Sequence, residues 1–383
     1  MENRNNKPIL DDEQRKEQHK RMFRSWAILL GVIALAVLLT VLISFLGSGG
    51  HSITAVSLPC YTHQDVTPFQ DGVLYYDGAS IHFVNATGSI EWSHPVGSGA
   101  SFSVSDTHLI VWSGSQLAIV DAKGRSSYNR AMDDTIIFAR IGRKHAAIIT
   151  GDELTSTLYV KDLQGTQIDF ETSLLDGQVM LDCGFYGSSD EYLWTLSYDF
   201  YAPVVTSILQ TFQVGQTNMG IATLTNFLPS KVIYVNDRLN VFTTQQLFSY
   251  DYRGVEDTSA KMLVYGWRYL DHTVTRRGTA NILLGPTTQG GLGSLNELRL
   301  LSNGLDRRYT LPTACVGAAV QEDHIYAFSS QYMYSGKTDS QQFYTHQIPL
   351  PDGRHVTAFI GLTSNGYAIV ESNNEVYSVS LPR

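Results

Sequence analysis

The feature that most limits what this chain can fold into is repetition. A unit of short apolar strands and tight turns, met first in DGVLYYDGASIHFVNATGSIEW (Asp71 to Trp92), returns along most of its length. In that copy Leu74, Tyr75 and Tyr76 mark one strand and Ile81 and Phe83 flank His82 on the next, while Asn85 to Gly88 supply the Asn/Gly chemistry of a tight turn. Further copies run from His108 to Arg125, His145 to Gln167, Tyr192 to Gln216, Arg238 to Val255, Ala280 to Leu305, His324 to Phe343 and Tyr367 to Ser380. Their starts are about 42 residues apart, the spacing of four-stranded units that bury their faces only by stacking on neighbours. The pattern predicts an all-β, eight-bladed β-propeller. A seven-bladed ring with one irregular insertion is the alternative, because the units ending near Gln216 and Phe343 have the poorest turns.

A ring of blades must close or fray. The last unit stops before an outermost strand, and Ser52 to Leu58 (SITAVSL) alternates like a strand yet belongs to no unit. These two facts predict a clasp, with Ser52 to Leu58 pairing beside Glu375 to Ser380. Composition agrees with many half-buried strands: charged residues are 16%, aromatics 11%, and Gly numbers 32 against 11 Pro.

The units containing [LI]-x-x-x-[DN]-x-x-G (IHFVNATG, LAIVDAKG, LYVKDLQG and LFSYDYRG) resemble the repeat of pyrroloquinoline-quinone-like propellers over most of residues 60 to 383. The resemblance implies a fold shared by enzymes, scaffolds and sensors. Enzymes of that type need a calcium held by Glu, Asn and Asp, an aromatic platform and often a Cys-Cys pair. This chain has neither such a pair nor such a ligand set, so no cofactor is expected. A basic tail, one span and such a propeller together look like a group of membrane-anchored propeller proteins from Gram-positive bacteria, and no activity comes with that likeness.

The N-terminal part reads differently. Residues 1–25 form a polar tail with seven Lys/Arg and five Asp/Glu. From Trp26 to Leu46 the chain runs without a charge (WAILLGVIALAVLLTVLISFL), long enough as a helix to cross a hydrocarbon core of roughly 30 Å. Basic residues precede the span and none follow in GSGGHS, so the positive-inside rule predicts a single-pass type II protein of the cell membrane. Its N-terminus would be cytoplasmic, residues 47–51 a tether, and residues 52–383 an extracytoplasmic propeller. A cleaved leader is the competing reading, weakened by the long polar segment and the lack of an A-x-A-like site. Outside the tail, 20 basic residues face 31 acidic ones, a balance that argues against nucleic acid as a partner.

No motif carries recognisable catalysis. Cys60, Cys183 and Cys315 are too few and too far apart for a disulfide framework or a zinc site; they read as core thiols, with one long-range disulfide as the alternative. Asp121, Asp162 and Asp251 each stand three residues before a Gly and read as turn carboxylates. No histidine lies at ligand spacing; His63, His82, His324 and His346 read as strand or turn side chains, and no nucleophile elbow appears. The Gly-rich stretch Pro286 to Ser294 lacks the Lys and Ser/Thr of a phosphate loop, and the sequon at Asn85 coincides with a blade turn.

Position within the repeat goes further than motif. Three connections between second and third strands are long: Gly151 to Ser156, Tyr198 to Pro203 and Pro286 to Ser294. All three should crowd one rim. The middle one offers Tyr198, Phe200, Tyr201 and Pro203 as an expected interaction surface, because loop aromatics are frequent interface anchors. Trp267 and Arg268 fall on an expected innermost strand, as candidates to line the axial channel or to pack between blades. The expected function is a non-catalytic scaffold binding another protein or an envelope polymer. A small-ligand sensor or enzyme using the channel is the alternative.

Overall fold

The computed structural model describes residues 53–382, apart from 153–154, 172–176, 217 and 288–293. The expected tail, span and tether lie outside the described residues. Among those described, no helix is long and apolar enough to cross a membrane.

The described chain forms eight four-stranded antiparallel sheets, and the seven-bladed alternative falls away. Seven blades take their strands in order: 67–95, 101–131, 136–171, 178–225, 229–263, 267–315 and 317–347. The eighth takes Ala358–Leu362, Tyr367–Ser372 and Glu375–Ser380, and borrows its outermost strand, Ala55–Tyr61, from the start of the propeller. The clasp therefore forms as expected, in the register Ala55 to Val379, Val56 to Ser378 and Ser57 to Tyr377. It runs three residues further along the chain than the alternation suggested.

First strands touch those of the neighbouring blade at the junctions 2–3, 3–4, 6–7 and 7–8 and where blade 8 meets blade 1, so the ring is closed and these strands are innermost. The core is divided accordingly. Eight buried clusters serve the eight interfaces between blades, from Phe83, Leu109 and Val120 between blades 1 and 2 to Leu58, Cys60, Val73 and Ile369 where blade 8 meets blade 1. The three cysteines are buried in three different clusters and are free, which removes the disulfide alternative. Burial pushes the Cys60 and Cys315 thiols up to about 12, so they behave as apolar side chains.

The repeated Asp/Asn turn has one physical job. Asp121 Oδ1 accepts the N–H groups of Lys123 and Arg125, both at 2.9 Å. Asp162 does the same for Gln164 and Thr166 at 2.9 and 2.8 Å, and Asp251 for Arg253 and Val255 at 2.9 Å each. Asn85 takes the equivalent place in blade 1, accepting from Thr87 and Ser89. The Gly three residues on has positive φ in each case and lets the previous blade come close. A Cβ on Gly124 would lie 2.7 Å from the Trp92 ring, and one on Gly165 would overlap Tyr128. Trp92 Nε1 also donates to the Ala122 carbonyl at 2.9 Å.

On the same face as these turns, the corners between first and second strands are linked at six of the eight junctions between blades. Ser364 N donates to the Gln70 carbonyl at 2.8 Å, Gln70 Nε2 to the Asp106 carbonyl at 3.4 Å, and Arg143 pairs with Asp106 at 3.3 Å. Lys144 N donates to Asp190 at 2.7 Å, Arg276 N to Glu322 at 3.1 Å, and Gln321 Nε2 to the Thr363 carbonyl at 3.1 Å. The axial end of the ring is thereby stitched through polar groups rather than apolar packing.

Candidate functional site

Strand direction sorts the connections onto two faces. Second-to-third and fourth-to-first connections emerge on one, here termed the loop face; the remaining connections emerge on the other, the entry face. The strand Ala55–Tyr61 is a fourth strand, so it starts at the entry face and ends at the loop face, where Thr62 N donates to the Asn374 carbonyl at 2.9 Å. The described chain therefore enters and leaves the propeller on the face opposite its long loops.

The three long connections do share the loop face. Residues 153–154 and 288–293 within two of them lie outside the described residues. The third is described throughout. Tyr198 is a half-buried residue of the strand Tyr192–Asp199, paired with Val179 and Ser207, so it is not part of the loop. Phe200 and Tyr201 are 57% and 74% exposed, Pro203 is exposed, and Val204 and Val205 continue the apolar run at 46% and 44%. Asp199 Oδ1 accepts the N–H groups of Tyr201 and Ala202 at 3.0 and 3.2 Å, Phe200 N donates to the Gly177 carbonyl at 3.3 Å, and the Tyr201 ring lies over Gly177. The two rings meet edge to face with centroids 5.7 Å apart. These aromatics are held outward by a built turn.

Sequence reasoning missed their companions. Leu228, in the connection from blade 4 to blade 5, is 56% exposed, and Leu263 and Tyr265, at the junction of blades 5 and 6, are 67% and 72% exposed. Three-residue connections give no pattern to read; only the closed ring shows that these side chains follow Phe200 and Tyr201 around one face.

The axis is more polar than Trp267 and Arg268 suggested. Both stand at the start of the innermost strand Trp267–Val274, and Arg268 is exposed there. Trp267 instead packs into the cluster between blades 5 and 6, with the Arg299 and Arg308 guanidiniums 5.8 and 5.4 Å from its ring. Arg299 is buried and anchored by Asp306 at 2.9 and 2.8 Å and by the Leu263 carbonyl at 3.1 Å, so this end of the blade is structural. Farther along the same strand, Asp271 follows a bulge and accepts from Val320 N of blade 7 at 3.0 Å and from His272 N at 2.8 Å. Burial raises its carboxyl to about 6. Arg140 and Asp182 form a matching link between the innermost strands of blades 3 and 4 at 2.8 Å. At the entry-face end, Gln70, Asp71, Asp106, Ser364 and Asn365 border an open cavity of about 440 Å³.

One hydrogen-bonded chain escaped the sequence reading. His82 sets Nε2 against Asp77 at 2.8 Å and Nδ1 against Ser93 Oγ at 2.6 Å, and stacks on Tyr75 at 4.8 Å. Asp77 is held at about 2, with its bond to His82 the leading cause, and its other oxygen caps Ala79 and Ser80 at 2.9 and 2.7 Å. Ser93 is exposed on an outermost strand, and the chain pins three strands and a turn together. His346 bonds Ser335 at 2.8 Å, and His324 bonds Asp323 at 2.8 Å. Among the described residues no group of three His, Cys, Asp or Glu could hold a metal ion.

Fold and faces together define an eight-bladed β-propeller with an aromatic loop face. No protein-family model and no curated protein matches the chain. Among solved structures it is similar to Sqt1 of Saccharomyces cerevisiae, at 11% identity over 87% of this chain and 99% of that one, with a TM-score of 0.54. It is also similar to BamB of Moraxella catarrhalis, a propeller of the pyrroloquinoline-quinone-like repeat, at 12% identity over 86% of this chain and 97% of that one, with a TM-score of 0.50. At such identity the likeness concerns the fold alone.

Proposed function

We propose that this protein is an interaction scaffold: a propeller, anchored through residues 26–46 with its N-terminus in the cytoplasm and its blades outside the membrane, that docks a protein partner on its loop face. The observation that carries the docking reading is the exposure of Phe200 and Tyr201 on a turn fixed by Asp199. Large apolar side chains held in water by a rigid turn are costly unless something covers them. The membrane part rests on the uncharged run and its basic flank, and an envelope polymer is the rival occupant of the face. The described chain itself enters the propeller opposite the loop face. The test is a pull-down of the full chain from its own membranes, comparing wild type with Phe200→Ser/Tyr201→Ser. Loss of specific partners in the variant is expected; identical recovery would remove this surface from the account.

A small polar ligand at the axial mouth is a second reading, favoured by the cavity bordered by Gln70, Asp71, Asp106, Ser364 and Asn365. Its test is a thermal-shift screen of polar metabolites on wild type and Asp71→Ala/Asp106→Ala. A stabilisation lost in the variant would support it.

A further inference from the structure

We infer that the partner segment seated on the loop face is both cationic and apolar, setting aliphatic or aromatic side chains against Phe200 and Tyr201 while bringing Arg or Lys to the carboxylates of the same face. This rests on the docking reading above and adds the partner's chemistry. Charge complementarity selects such a partner. In the described connections of the loop face the charged side chains are acids, Asp133 and Asp134 among them and exposed, with Arg354 as the one base. Arg354 is already engaged by Glu375 and by Tyr377 Oη. The other Lys and Arg of the described connections, such as Lys123, Arg125, Arg143 and Arg276, lie on the entry face. Among the described residues the other bases near the loop face reach it from strands, as Arg130, Lys231 and Arg268 do, and Lys231 sits 5.9 Å over the Tyr269 ring.

A partner nearing the aromatic loop from blade 3 or 4 thus meets negative potential, from Asp133, Asp134 and Asp199, and the surface selects against acidic segments. The rings favour the same choice. Elsewhere the chain covers its own aromatics with cations, at Phe138, Tyr128, Tyr252 and Trp267. Among the described residues none covers Phe200, Tyr201 or Tyr265, and an exposed ring face attracts a guanidinium or ammonium.

The experiment is selection of a random 12-residue displayed peptide library on the immobilised full chain, counter-selected on the Phe200→Ser/Tyr201→Ser variant. Peptides retained at least tenfold better by wild type are expected to carry net positive charge with aliphatic or aromatic residues, and to bind about tenfold more weakly in 0.5 M NaCl. Loop-dependent peptides that are neutral or acidic would overturn the charge inference and leave the docking reading standing. The absence of any peptide that distinguishes wild type from variant would overturn both.

Discussion

Gly165 carries more than a turn. Its φ of +85° and the Tyr128 ring lying against it leave no room for a side chain, whereas Gly78, with φ of +100°, has nothing within 4 Å of a built Cβ. Both positions strain an L-residue by about 1 kcal/mol or more, but only Gly165→Ala also overpacks an interface, at about 1–3 kcal/mol further. Chemical denaturation should therefore show Gly165→Ala clearly less stable than Gly78→Ala; equal losses would mean that the stacking contributes nothing. Asp271 makes a second expectation at this scale. Its carboxyl is raised in the fold, so its contribution is complete below the ordinary value near 3.8 and is lost as pH rises through about 6. A shift of this size corresponds to at most about 3 kcal/mol across that window. Asp271→Asn should flatten the pH dependence of unfolding between about pH 4 and 6, and an unchanged slope would assign it to other groups. Asp77 runs the other way. Its lowered carboxyl contributes above its ordinary value and is lost as pH falls towards about 2.

Among elements, the clasp is the most exposed to test. Ser380 N donates to the Thr54 carbonyl at 3.0 Å, so the antiparallel alternation makes Val56 and Ser378 a hydrogen-bonded pair and leaves the Ser57 N–H facing outward. Val56→Pro should cost about 3 kcal/mol and Ser57→Pro markedly less. A thermal melt in which the two are equal would contradict this register. The clasp and the Asp/Asn-x-x-Gly turns were legible because each depends on neighbours in sequence: alternation for one, a carboxylate or amide reaching N–H groups two and four residues on for the other. The innermost strands were less legible. Bulges at Ile137, Leu181 and Leu270 shift the register there, and nothing in the local composition marks them. Tyr198 shows the opposite error, since a loop boundary drawn from Gly and Pro signals missed that its strand reaches Asp199.

For the whole molecule, blade number and closure were readable from the repeat, while the working surface was readable only in part. Phe200, Tyr201 and Pro203 stood out because they fall in a long connection. Leu228 and Tyr265 did not, since their place on the same face exists only after eight blades close. The same holds for charge: an acidic composition says nothing of faces until strand direction assigns Asp133 and Asp134 to one and Arg143 and Arg276 to the other. Phe200→Ser/Tyr201→Ser should leave the unfolding midpoint within about 1 °C of wild type, since exposed positions contribute little to stability. A large drop would make the loop a structural element instead of a docking one.

The most direct test of the docking account is site-specific photo-crosslinking in cells, with the photoreactive residue placed at Tyr201 on the loop face or at Lys123 on the entry face of the full-length chain. The account expects discrete, higher-mass protein adducts from Tyr201 and none of the same mass from Lys123. Adducts of equal yield and mass from both positions, or from Lys123 alone, would contradict it.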